Sequence, residues 1–295
     1  MEVKQNGLKA WFLASRPKTL TGAMIPIMVS GSLAVAGGKY NGVALVTCFA
    51  FAALMQIAAN LINDLIDFKR GTDGSDRLGP ERACAQGWIT PRAMSTGIGV
   101  VLFLALGAGC TVLAYSSLWL VAVGALCVVF AFLYTTIMSY AGWGDILVFV
   151  FFGLVPCCGT YYVATGELTG AAWLSGVSCG VVIDTLLIVN NYRDRHTDKR
   201  SNKRTLIVLF GGRFGERFYL WCGIVAWALG LPLLMGGSAW WMLLTCPYLI
   251  LHYTTWRKMV SINQGKALNR ILGLTSRNMF LFGLLLSAGI LLSQA

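Results

Sequence analysis

Long, nearly uncharged apolar runs recur along the whole chain, and no other feature narrows its possible folds so far. A helix rises about 1.5 Å per residue, so roughly 20 apolar residues cross the ~30 Å hydrocarbon core of a bilayer. Hydropathy and run length mark nine such segments: residues 17–37, 42–66, 94–115, 118–138, 145–165, 170–192, 217–236, 239–256 and 271–293. Glycine, proline and polar pairs punctuate them, among them Gly37-Gly38, Ser116-Ser117, Gly166 and Gly236-Gly237. Inside lipid, backbone polar groups must bond within their own segment, which these lengths allow only as helix. The expected fold is all-α: a polytopic membrane protein of about nine transmembrane helices in one bundle, one domain over residues 1–295. Charged residues make up only 12% of the chain, about half the usual share for a soluble domain, which excludes both a water-soluble globule and a disordered chain.

Basic residues orient the bundle. With nine spans and the N-terminus inside, Lys4, Lys9, Arg16 and Lys18 lie on the cytoplasmic side, as do Lys69, Arg70, Arg77, Arg82 and Arg92. The 193–217 loop adds Arg193, Arg195, Lys199, Arg200, Lys203, Arg204, Arg213 and Arg217, and the next inner loop adds Arg257, Lys258, Lys266 and Arg270. Of 23 Lys and Arg residues only Lys39 falls outside, while Arg277 sits within the last span near its inner end. So strong a positive-inside bias supports the span count independently and predicts a multi-pass protein of the cell's inner (cytoplasmic) membrane. Met1 to Lys18 lacks the short apolar core and cleavage site of a signal peptide and reads as a cytoplasmic tail. The net charge of +11 then points to anionic lipid and an anionic substrate, not to nucleic acid. The nine cysteines form no C-x-x-C pair and lie mostly in apolar runs, as small buried residues do.

Most of the acids lie in two inner loops or at the span ends that lead into them. The second span closes on Asn60, Asn63, Asp64 and Asp67, spaced i, i+3, i+4, i+7 along one helical face, with Gln56 a turn deeper. Asp73, Asp76 and Arg77 follow. The sixth span closes on Asn190, Asn191, Arg193, Asp194 and Asp198, followed by Lys203-Arg204-Thr205-Leu206. Both clusters end an even-numbered span on the cytoplasmic side, which suggests two repeated halves, about 11–138 and 145–256, plus a last helix at 271–293. Carboxylates one turn apart repel unless a cation lies between them, and Asp and Asn oxygens are hard ligands suited to Mg2+. The expected metal set is therefore Asn60, Asn63, Asp64, Asp67, Asp73, Asn190, Asn191, Asp194 and Asp198, holding two ions. Such a pair of sites can clamp a diphosphate, with Lys69, Arg70, Arg77, Arg82, Lys203 and Arg204 taking the remaining phosphate charge. His196 reads as a solvated loop residue and His252, alone in an apolar span, as a satisfied core histidine.

The two motifs resemble those of the UbiA superfamily of intramembrane aromatic prenyltransferases. Of the N-x3-D-x3-D pattern, Asn63 and Asp67 match, but position 71 is Gly and the third acid is displaced to Asp73. That departure, together with Arg16-Pro17-Lys18-Thr19-Leu20, Asp76-Arg77, Gly79-Pro80, Arg82, Gly87 and Ile89-Thr90, is similar to the 1,4-dihydroxy-2-naphthoate polyprenyltransferase branch of menaquinone biosynthesis. Gly144-Asp145 and Phe151-Phe152-Gly153 fit as well. Two departures stand out: Asn202 replaces the glycine usual before Lys-Arg-Thr-Leu, and residues 136–140 replace a proline-containing loop.

The resemblance implies a reaction and a set of roles. A polyprenyl diphosphate and an aromatic acid are the expected substrates, the bilayer the setting and Mg2+ the cofactor. Asn63, Asp67, Asp194 and Asp198 are the expected catalytic residues, while Arg16, Lys18, Tyr134, Tyr140 and Asp145 are assigned to the acceptor or prenyl pocket. Ionisation of the diphosphate gives an allylic cation, which the acceptor attacks at its carboxyl-bearing carbon with loss of carbon dioxide, giving demethylmenaquinone. Two other classes fit the pattern less well. A cation transporter would carry its acids near the bilayer midplane, not at span ends among bases. A CDP-alcohol phosphotransferase would carry D-G-x2-A-R, which is absent, since Asp64 precedes Leu65 and Asp67 precedes Phe68.

Overall fold

The structure is a computed structural model that describes residues 3–71, 78–133, 142–235 and 240–293. Among the described residues every regular element is a helix. In chain order these are α1 (Leu8–Ser15), α2 (Pro17–Ala36), α3 (Gly42–Arg70), α4 (Pro91–Leu113), α5 (Trp119–Leu133) and α6 (Gly144–Thr165). Then follow α7 (Gly170–Arg200), the short α8 (Leu206–Phe210), α9 (Gly212–Gly230), α10 (Trp240–Leu243), α11 (Cys246–Ile262) and α12 (Leu268–Ser293). Each of the nine expected segments overlaps helix within its described residues. Among the described residues seven helices are long and apolar enough to cross a membrane. The other two segments are α5, and α10 with α11, whose described helices are shorter.

Helix α7 is the central post and α4 the periphery: 67% of the apolar window of α7 is buried, against 6% of that of α4. Lipid, not protein, is left to cover residues such as Phe103, Leu104, Trp221 and Ile250. Two buried clusters carry the bundle. One joins Ile25, Val182, Ile183, Phe282 and Leu286 from α2, α7 and α12; the other joins Leu61, Ile62, Leu65, Met94 and Ile98 from α3 and α4. Without a hydrophobic effect between helices in lipid, close approach depends on small residues. At the α6–α7 contact a Cβ on Gly180 would lie 2.8 Å from the Phe149 carbonyl oxygen, and one on Gly153 would strike the Gly180 backbone.

Helix α6 is not regular. Residues Phe149–Leu154 form a π-helical turn just before Pro156. Pro156 has no N–H, so the α-helical partner of the Phe152 carbonyl is missing, and the wider turn accommodates that loss. The two longest helices outrun their apolar stretches. Helix α3 has 29 residues and α7 has 31, about 44 and 46 Å at the helical rise, against ~30 Å of hydrocarbon. Over their described residues both acidic motifs thus continue these helices and are not loop segments.

Candidate active site

A cavity of about 870 Å³ runs into the bundle between α2, α3, α4, α5, α6 and α7. Its polar end receives Asn63, Asp67 and Arg82 from one motif and Asn190, Asn191, Asp194, Asp198 and Lys203 from the other. Arg193, Asn269, Arg16 and Lys18 line the same region. The remaining wall is apolar and includes Phe51, Leu106, Leu113, Phe130, Phe151 and Phe152. The π-helical turn of α6 contributes the last two of these. A charged end continuous with an apolar corridor suits an amphiphile with an anionic head and a hydrocarbon tail.

The α3 motif divides into two tasks. Asp67 faces the cavity and pairs with Arg82 at 2.6 Å. Asp64 does not reach it. It is 1% exposed, and its two carboxylate oxygens accept the backbone N–H groups of Ala83 and Cys84 at 2.8 and 2.9 Å. This corrects the expectation of Asp64 as a metal ligand: the carboxylate is buried off the cavity, where it holds the 78–90 segment to α3. Asn60 is likewise corrected. Its amide donates to the Ser15 carbonyl at 2.8 Å and to the Thr19 hydroxyl at 2.9 Å, which fixes the break between α1 and α2. At that break Arg16 has φ 51, a left-handed backbone that a non-glycine residue adopts at a cost. The strained residue is one that lines the cavity. Asp64→Ala is expected to lower stability by about 2–4 kcal/mol, from two lost hydrogen bonds to a charged acceptor. Thermal unfolding in detergent checks the loss.

The α7 motif is organised by Arg193, which is 2% exposed. Its guanidinium grips Asp194 in two places, Nε to Oδ1 at 2.7 Å and Nη2 to Oδ2 at 2.5 Å. It also donates to the side-chain oxygens of Asn190 and Asn269, both at 2.8 Å. Asp198 pairs with Lys203 at 3.5 Å. Arg195 turns the other way: it stacks over the Tyr192 ring at 4.3 Å and donates to the Asn263 carbonyl at 2.8 Å.

Gly71 and Asn202, where the motif pattern is broken, each have a backbone explanation, while the 136–140 departure lies outside the described residues. Gly71 caps α3 at φ 67, so the helix ends where a further acid would extend the stripe. Asn202, in place of the usual glycine, sits at φ 56, a conformation asparagine tolerates better than most residues.

Not every expected site residue is brought to the cavity. Lys69, Arg70 and Arg204 are exposed and do not line it, which corrects their expected place on the diphosphate. Asp145 also does not line it. It is buried at the start of α6, which packs on α7, and this corrects its expected place in the acceptor pocket. Asp73, Asp76, Arg77, Tyr134 and Tyr140 lie outside the described residues. His196 is exposed. His252 is buried, with Nε2 3.1 Å from the Tyr219 carbonyl oxygen, a satisfied core histidine as read from the sequence. Sequence reasoning missed Arg193 as the clamp on Asp194, and it missed Asn269 altogether.

Among the described residues no three His, Cys, Asp or Glu side chains form a metal site by themselves. The donor set nevertheless fits Mg2+, which commonly binds through one or two carboxylates plus substrate phosphates. Asn63, Asp67, Asn191, Asp194 and Asp198 supply such oxygens at one end of one cavity.

Comparison with known proteins agrees with this geometry. The pattern of the UbiA prenyltransferase family matches residues 23–289. The 1,4-dihydroxy-2-naphthoate octaprenyltransferase of Escherichia coli (strain K12) is 32% identical over 299 residues, covering 97% of this chain and 96% of that protein. The protein of the same name from Mycobacterium tuberculosis (strain ATCC 25618 / H37Rv) is 37% identical over 205 residues, covering 68% of this chain and 70% of its own. A solved UbiA homolog from Archaeoglobus fulgidus, bound to GPP and Mg2+, shares the fold with a TM-score of 0.63 at 14% identity, covering 95% of this chain and 99% of that one.

Proposed function

The chain belongs to the UbiA prenyltransferase family, and on that premise we propose that it transfers a polyprenyl group from polyprenyl diphosphate to 1,4-dihydroxy-2-naphthoate. Diphosphate and carbon dioxide leave, and the product is the hydroquinone, demethylmenaquinol, which becomes demethylmenaquinone only on a separate later oxidation. The observation that carries this reading is the meeting of both acidic motifs at one end of a cavity whose other walls are apolar.

In this reading Asn63, Asp67, Asn191, Asp194 and Asp198 hold Mg2+, two ions in all, at the inner end of the bundle, with Asp73 as a further ligand. Bound Mg2+ neutralises the diphosphate and stabilises the charge that develops on it as the allylic C–O bond breaks. Arg82 and Lys203 bring positive charge to the same end, with Arg77 beside them. The electron pair of the broken bond leaves with the diphosphate. The phenylalanine walls keep water from the allylic cation and place aromatic rings along its corridor. Arg16 and Lys18 hold the acceptor's carboxylate. The ring carbon bearing that carboxylate attacks the allylic carbon, the bond to the carboxyl group breaks, and carbon dioxide departs. Aromaticity returns without a separate base. The protein lies in the inner membrane with its N-terminus and both motifs cytoplasmic, and the two halves are a duplicated unit. A cation transporter is disfavoured because Asp67, Asp194 and Asp198 each already face a base.

The test supplies acceptor labelled at the carboxyl carbon, polyprenyl diphosphate and Mg2+ to purified protein in detergent. The expected result is a prenylated product free of label, with 4-hydroxybenzoate a poor substrate. Label retained in the product, or preference for 4-hydroxybenzoate, overturns the choice of acceptor.

A further inference from the structure

We infer that Asn269, at the start of α12, is a positioning residue that fixes the two acidic motifs relative to one another across the cavity. The inference rests on the proposed metal–diphosphate reading of those motifs and adds a residue outside both of them. Asn269 is the first residue after Leu268 in the last helix, far from either motif in sequence, yet it lines the polar end of the cavity. Its side-chain oxygen accepts from Arg193 Nη1 at 2.8 Å, and its side-chain nitrogen donates to the Leu78 carbonyl at 2.7 Å.

Those two contacts complete a connected path. Arg193 grips both oxygens of Asp194. On the other side, Leu78 opens the segment that continues through Arg82, and Arg82 pairs with Asp67 at 2.6 Å. Asp64 ties the same segment to α3 through Ala83 and Cys84. The path from Asp194 to Asp67 therefore runs through one side chain that belongs to neither motif. A carboxamide suits the post because it offers an acceptor to a guanidinium and a donor to a carbonyl at once. A diphosphate clamped between two metal sites requires those sites at a fixed separation, and small displacements of reacting groups are expensive in rate. Partners that orient metal ligands typically cost about 10–100-fold in metal affinity or activity when removed.

The test compares Asn269→Ala with Asn278→Ala. Asn278 is a second structural amide of α12, buried away from the cavity, donating to the Leu251 carbonyl at 3.1 Å and the Thr255 hydroxyl at 2.8 Å. Prenyl transfer is titrated with Mg2+ at saturating polyprenyl diphosphate, and thermal unfolding is measured on the same preparations. Asn269→Ala is expected to raise the half-saturating Mg2+ concentration about tenfold or more with little change in unfolding temperature. Asn278→Ala is expected to do the reverse, lowering unfolding temperature at unchanged Mg2+ half-saturation. If Asn269→Ala does not fold, Asn269→Ser, whose hydroxyl can still meet Arg193, carries the same comparison. Wild-type Mg2+ half-saturation in the Asn269 variant, or an equal shift in the Asn278 variant, overturns the inference. Absence of Mg2+-dependent transfer in the wild-type protein would instead remove the reading on which it rests.

Discussion

Asp67→Asn and Asp194→Asn are each expected to reduce prenyl transfer by about 10²–10³, the usual effect of losing one contact that stabilises charge in the transition state. Asparagine preserves the shape of each side chain and removes only its charge, so each variant isolates what the carboxylate does for the bound cation. Both acids are in a position to matter. Their side chains are 23% and 21% exposed, they line the cavity, and each is held by a buried arginine. Asp64 provides the contrast, with both oxygens turned away into the 78–90 segment. Turnover is measured with unfolding temperature recorded for each variant, since Arg82 and Arg193 lose their counter-charges. Chelation of Mg2+ in the wild-type protein should give a loss at least as large. Full activity under chelation, or variants of wild-type rate, would remove the metal-assisted scheme.

The division of labour on α3 shows what spacing can and cannot convey. Asn60, Asn63, Asp64 and Asp67 share a face, and that was legible from i, i+3, i+4, i+7. At 3.6 residues per turn each step is 100°, so the four positions fall at about 0°, −60°, +40° and −20°. The stripe is thus about 100° wide, and the structure cuts it in two. Asn63 and Asp67, on the negative side, meet the cavity, while Asp64, on the positive side, meets the backbone of residues 83 and 84. No rule of spacing says where such a cut falls, because it is set by a segment packed from elsewhere in the chain. The same reason hid Asn269, which belongs to no local pattern and acquires its place only when α12 packs beside α7. The helices themselves were legible because apolar length is a local property. Their ends were not, because hydropathy stops at the edge of the apolar stretch while α3 and α7 continue to Arg70 and Arg200. The π-helical turn of α6 left only a faint signal, Pro156 inside an otherwise continuous apolar run.

Arg193→Met is expected to give a large loss of stability at the site, and a loss that Mg2+ partly restores. The guanidinium is buried, and it meets four side-chain oxygens: two of Asp194 and one each of Asn190 and Asn269. Removing one partner of a buried ion pair leaves the other charge uncompensated, which costs about 3–5 kcal/mol. Asp194 retains some exposure toward the cavity, so the lower end of that range is the expected cost. Arg193→Lys should not rescue it, because a single ammonium cannot span both carboxylate oxygens and two amide oxygens in one plane. The feature that separates this from any other core substitution is its dependence on the metal. A cation bound at Asp194 replaces the missing counter-charge, and a ligand that binds only the folded state raises its stability by mass action. Unfolding temperatures of wild-type, Arg193→Met and Arg193→Lys proteins, each with and without Mg2+ and a non-hydrolysable prenyl diphosphate, make the comparison. The deficit of both variants should shrink when metal and diphosphate are added together, while turnover stays at least tenfold below wild type because Asp194 is no longer held in register. A deficit unchanged by metal would mean that Arg193 supports the helix alone, and a wild-type unfolding temperature would mean that it does not hold Asp194 at all.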